Sequence, residues 1–85
     1  MSYKHFPTPV RIILQQSQEF IIASAWDALE FLRGWPAGHV GRAYRIALQH
    51  CMDALDGILS PRKAQASFMA AAREAGILAT SKVPA

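Results

Sequence analysis

Three times along this 85-residue chain an amphipathic stretch stops at a glycine followed at once by a large apolar residue: Gly34-Trp35, Gly57-Ile58 and Gly76-Ile77. Glycine has no Cβ and enters the left-handed conformation that a helix C-terminus favours, after which the next apolar side chain folds back on the last turn. The spacing predicts three helices ending at these points. Two starts are also marked. Ser24 followed three residues later by Asp27 resembles a capping box, in which hydroxyl and carboxylate each take an orphan amide proton of the first turn. Ser60-Pro61 puts a cap residue before the one helical position where proline's missing N–H costs nothing.

The faces of the three stretches differ. In Ala25 to Arg33 the residues Ala25, Trp26, Ala28, Leu29, Phe31 and Leu32 cover most of the circumference and leave Asp27 and Glu30 as the wet strip, the pattern of a helix sandwiched between neighbours. The stretch Gly41 to Gly57 carries a narrower stripe of Tyr44, Ala47, Leu48, Cys51 and Leu55, continued by Ile58, opposite Arg42, Gln49, Asp53 and Asp56. In the third stretch Ala64, Phe68, Ala71, Ala72 and Ala75 form a stripe of small side chains around one aromatic anchor, which allows close helix approach. Between the first two, Trp35 to Val40 contains Pro36 and Gly38, a composition that stops one helix and lets the chain reverse.

Ahead of the helices, Val10, Ile12 and Leu14 share one side of an alternating run, and Phe20 and Ile22 share one side of Glu19 to Ala23. This predicts an antiparallel hairpin. A two-stranded ribbon alone is marginal, so it must lean on helices, and its second face still presents Ile13 and Ile21 for pairing across a subunit boundary. Residues 1–8, with Pro7 and no period, read as a loosely held arm, and residues 79–85 as a frayed tail. The expectation is one α+β domain over residues 9–78: an N-terminal hairpin followed by three α-helices around one small core.

The totals agree with a single domain. A chain 52% hydrophobic and 18% charged is too apolar for disorder. No apolar run approaches the ~18 residues of a membrane span. The N-terminus lacks the apolar core of a secretion signal and the lone cysteine has no disulfide partner, which together point to a soluble cytoplasmic protein. The net charge of +3 is compatible with an acidic partner or nucleic acid, although the nine basic residues are scattered.

Ala28, Phe31, Leu32, Trp35 and Pro36, then Tyr44, Ala47, Cys51, Ala54 and Leu55, then Phe68, Ala71, Ala72, Ala75 and Gly76 carry a resemblance. From about Pro9 to Ile77 the chain resembles the small bacterial proteins grouped as domain of unknown function 982. The resemblance implies a small stand-alone bacterial domain with a hairpin and three helices, and it carries over no activity, cofactor or catalytic residue. Gln15-Gln16-Ser17-Gln18 stands here in place of the family's usual glycine-containing hairpin turn.

Several residues invite chemistry. Cys51 beside His50 suggests a nucleophile and its base, but helix neighbours point about 100° apart, and a cysteine in mid-stripe behaves as a small core hydrophobe. His50 and Asp53, with His39 or His5, match no metal-ligand spacing. Trp26, Phe31, Trp35 and Tyr44 read as core rather than as a base-stacking platform. No acid, base or nucleophile constellation converges, so the chain reads as non-enzymatic, with no catalytic, cofactor or metal site.

The charges say more. Arg42 and Arg45 open the second helix and Arg62 and Lys63 the third, where the helix dipole favours anions. Asp53 and Asp56 across a short loop answer the second set by mutual pairing. If the helices run antiparallel, Arg33, Arg42, Arg45 and Arg73 gather at the opposite end with only Glu30 and Glu74 against them, a candidate site for phosphate, nucleic acid or a partner's carboxylates. Ile13, Ile21 and Ile46 fall outside the expected core and are the candidate oligomer interface. The leading reading is a small interaction or regulatory module, a homodimer or the partner of another protein. The alternative is anion or nucleic-acid binding through the arginine end.

Overall fold

A computed structural model describes residues 4–14, 18–35 and 40–79. It contains strand β1 (His5–Leu14), strand β2 (Gln18–Ser24), helix α1 (Ala25–Arg33), helix α2 (Arg42–Leu55) and helix α3 (Pro61–Ala75), in that order. This is the expected α+β architecture of a hairpin and three helices. The central part of the expected turn, residues 15–17, the connection residues 36–39 and most of the expected tail lie outside the described residues.

β1 and β2 pair antiparallel, Val10 with Ile22, Ile12 with Phe20 and Leu14 with Gln18. Alternation then sorts the side chains onto two faces. Val10, Ile12 and Ile22 are buried on the inner face, with Leu14 packed against them. The outer face carries Arg11, Ile13, Glu19 and Ile21, and Arg11 Nε meets Glu19 Oε2 there at 2.5 Å.

Order starts earlier than the expected arm boundary. β1 begins at His5, and Phe6 is buried in the core. Five steps of β1, from His5 to Val10, run against two of β2, and this irregularity contains both Pro7 and Pro9. Proline cannot donate to a ladder but is accommodated at bulges, so the residues that suggested a loose arm instead mark a bulged strand. The arm is tied elsewhere as well: the Lys4 carbonyl accepts the Ala25 N–H at 3.0 Å and the Thr8 carbonyl accepts Gln65 Nε2 at 2.7 Å.

The far end of the domain also differs. Ile13 N–H donates to the Ile77 carbonyl at 2.9 Å and Ala79 N–H to the Arg11 carbonyl at 3.0 Å, with Leu78 bridging antiparallel to Ile12. The segment after α3 therefore lies along the other edge of β1. Ala79, expected to open a frayed tail, is bonded, and β1 is a central strand with β2 and residues 77–79 on either side.

Capping follows the sequence with one adjustment. Ser24 Oγ accepts the Asp27 N–H at 3.1 Å, but the Asp27 carboxylate reaches back past the cap to the Ala23 N–H at 3.3 Å. Ser60 caps α3 through the Lys63 N–H, with proline in the first turn. α1 packs against β2, α2 and α3. The largest fully buried side chains are Phe68, Ile12, Leu32 and Cys51, and Ala47, Ala54, Ala64, Ala71 and Ala72 fill the α2/α3 side of the same core. Trp26, expected in the core, is 42% exposed.

Two of the three glycine stops behave as expected. Gly57 and Gly76 have φ of +80° and +76°. Ile58 N–H donates to Asp53 and Gly57 N–H to Ala54, and Ile77 N–H to Ala72 and Gly76 N–H to Arg73, the paired bonds that close a helix through a left-handed residue. Ile77 folds into the core, whereas Ile58 points out, 72% exposed. Gly34 keeps a negative φ of −104°. Gly76→Ala is expected to cost about 1–2 kcal/mol, the steric penalty of a left-handed Cβ. Gly34→Ala, with nothing within 4 Å of the added carbon, is expected to stay within about 0.5 kcal/mol of the parent. Thermal unfolding of the two variants separates them.

Candidate functional site

The end of α1 and the start of α2 are organised by aromatic side chains. Tyr44, in the first turn of α2, donates its hydroxyl at 2.8 Å to the Leu32 carbonyl, which also accepts the Trp35 N–H at 3.2 Å. Its ring lies 5.3 Å from that of Trp35, which stands edge-on to Phe31 at 5.8 Å; Phe31 in turn meets Phe20 at 5.6 Å and Phe68 at 6.1 Å. Phe31, Trp35 and Tyr44 are thus packing residues, as expected. The cluster holds the last turn of α1 against the first turn of α2.

That junction carries three of the four candidate arginines. Arg33 ends α1 and approaches Glu30 at 3.9 Å with both side chains at least half exposed, a weak pair. Arg42 and Arg45 are exposed in the first turn of α2, where Gly41 supplies no side-chain cap and no acidic residue faces the dipole. Arg73 is exposed in the last turn of α3. Among the described residues no ion pair engages Arg42, Arg45 or Arg73. At the other end of α2 the expected pairing of Asp53 and Asp56 with Arg62 and Lys63 is not made: Asp53 Oδ1 accepts from Gln49 Nε2 at 3.0 Å, one turn back along its own helix, where no loop ordering is needed.

The cysteine and its neighbouring histidine turn apart. Cys51 is fully buried, and burial pushes its thiol up to about 12. His50 is half-buried and its Nδ1 hydrogen-bonds Ser67 Oγ across the α2/α3 interface. Cys51 and His50 therefore do not meet as nucleophile and base. Among the described residues no three His, Cys, Asp or Glu side chains gather as metal ligands, and no helix is long and apolar enough to cross a membrane.

One open cleft of about 280 Å³ is lined by His5, Ser24, Trp26 and Asp27. Its Ser24 Oγ and Asp27 Oδ2 each accept a main-chain N–H. Sequence reasoning missed it, because His5 reaches Ser24 only through the bulge.

The hairpin leaves a larger unpartnered surface. Gln18, Glu19, Phe20 and Ile21 are four consecutive exposed residues of β2, with Ile21 at 54% and Phe20 at 39%. Among the described residues, β1 is bonded on both edges and β2 on one only. Of the candidate interface residues, Ile21 and half-buried Ile13 share the outer face of the hairpin, and Ile46, 39% exposed, stands apart on α2.

The Cys51 environment generates a prediction. A folded thiol near 12 holds its proton more tightly than an unfolded one near 9. The associated stability is therefore fully present below about pH 9 and falls as pH rises toward 12. Iodoacetamide at pH 8 is expected to spare Cys51 in the native protein and to alkylate it readily in denaturant; rapid native alkylation contradicts the burial.

A family model described as "Protein of unknown function (DUF982)" matches residues 8–79. No curated protein matches the chain. Among solved structures, the NMR structure of Agrobacterium tumefaciens protein Atu1219 is similar, with a TM-score of 0.76 and 34% sequence identity over 95% of this chain and 81% of that one.

Proposed function

Since the chain belongs to the DUF982 family, whose description gives no activity, its role is read from its own surface, and we propose that it is a small non-enzymatic interaction module that self-associates through its hairpin. The observation behind this reading is the β2 edge, where Phe20 and Ile21 lie exposed beside strand main chain that has no partner among the described residues. Exposed strand edges template pairing, and natural proteins normally cover or charge them. Glu19 is the single charge on this one, and Arg11 engages it. The proposed compartment is the cytoplasm, where the lone buried Cys51 stays a reduced thiol. Sedimentation from about ten to several hundred micromolar is expected to show a reversible dimer. A strict monomer throughout that range contradicts self-association.

The arginines support a second reading, binding of phosphate or another polyanion at the start of α2. Its specific observation is the first turn of that helix, uncapped by any side chain, free of acids, and bearing Arg42 and Arg45 without ion pairs among the described residues. The amides of such a turn and its dipole both favour an anion. Binding of a DNA or RNA oligonucleotide at low salt is expected to weaken as salt rises and to weaken further in the Arg42→Ala/Arg45→Ala variant. Equal binding by parent and variant contradicts this reading.

A further inference from the structure

The main-chain groups on the open edge of β2 follow from the bonds on the other side of β1. Within an extended strand the N–H and C=O of one residue point the same way, and successive residues point opposite ways. Arg11 and Ile13 bond to the 77–79 segment. Ile12 therefore turns to β2, where its partner is Phe20, and Val10 likewise faces Ile22. Phe20 and Ile22 thus direct their groups at β1, and Glu19, Ile21 and Ala23 direct theirs outward. The Ala23 N–H is already held by Asp27 Oδ2. Among the described residues, the open donor-and-acceptor pairs that remain belong to Glu19 and Ile21, placed symmetrically about Phe20.

We propose that a second copy of this chain adds its β2 antiparallel to this edge, with the two Phe20 residues opposite each other across a two-fold axis. This rests on the self-association reading above and gives it an occupant and a register. With Phe20 on the axis, Glu19 of each copy faces Ile21 of the other, and every open N–H meets an open C=O. Sliding the axis to Ile21 sets Glu19 against Ala23, whose amide Asp27 holds. Sliding it to Glu19 sets two carboxylates directly opposite, which is unfavourable in a sheet. The self-complementary pattern is what an isologous two-fold contact requires. On the outer face the Phe20-centred register puts Ile21 between Arg11 of its own copy and Glu19 of the other, so like charges stay apart.

The register has two tests. Residues opposite at a non-hydrogen-bonded position have Cα atoms about 4.5 Å apart, inside the roughly 4.4–6.8 Å span of a disulfide. Under mild oxidation the full-length Phe20→Cys protein is expected to give a covalent dimer, and Ile46→Cys to stay uncrosslinked. Because Phe20 also touches Phe31, a charge cycle supplies the second test. Ile21→Glu places a carboxylate beside Arg11 of its own strand pair and against Glu19 of the other copy. It is expected to keep the circular dichroism of the parent and to raise the dimer Kd at least tenfold in sedimentation. Adding Glu19→Lys is expected to restore the parental Kd. A parent that dimerises while Phe20→Cys does not crosslink, or while Glu19→Lys fails to rescue, overturns the register and leaves self-association standing. A parent that is monomeric at several hundred micromolar overturns both.

Discussion

The pairing of β1 on both edges is the constraint on which the rest of this domain depends. A two-stranded hairpin is marginal in water. Here the strand nearest the N-terminus is flanked by β2 and by the residues that follow α3, so the first and last described parts of the chain close on each other. α1 and α3 pack against that sheet, and α2 packs on α1 and α3. Ile12 is fully buried at the centre, opposite Phe20 on one side and Leu78 on the other.

The helical layer is built to fit this closure. α2 and α3 meet through alanines and Cys51 around Phe68, which keeps their axes close. α1 is short, and aromatic contacts from Phe20 through Phe31 and Trp35 to Tyr44 link the hairpin to the start of α2. The Tyr44 hydroxyl on the Leu32 carbonyl adds a bond worth about 1 kcal/mol. The polar bond of His50 to Ser67 ties α2 to α3 beside the same core. Cys51 and His50 are thereby engaged within the helical layer, and a strand edge and a cationic helix start lie at the surface.

Much of the fold was legible because its signals are local. Ser24, Ser60-Pro61, Gly57 and Gly76 act within a few residues of themselves, and the Cys51 stripe needed only a helical period. The misses are non-local. Pro7 and Pro9 hid Phe6, since their place in a bulge depends on where β2 pairs. Gly34 looked like the other stops, but Trp35 is held by Phe31 and Tyr44 and not by a left-handed turn. Ile58 and Trp26 fit apolar stripes that extend beyond what their neighbours cover. The strand-like segment after Gly76 carried no alternation long enough to read. Of the candidate sites, the exposure of Ile21 follows from strand alternation, whereas the open edge beside it depends on which side of β1 the C-terminal segment takes. The cationic start of α2 was readable from Arg42 and Arg45 alone, because the helix dipole is itself local.

Amide hydrogen exchange tests the central claim most directly, because it reads each edge of β1 and β2 separately. The account predicts that the amides of Ile13 and Ala79 are protected at every protein concentration, and that those of Glu19 and Ile21 exchange quickly when dilute and slow as concentration rises. Fast exchange at Ile13 and Ala79, together with protection of Glu19 and Ile21 independent of concentration, would contradict it by placing the closed edge of the sheet on the other strand.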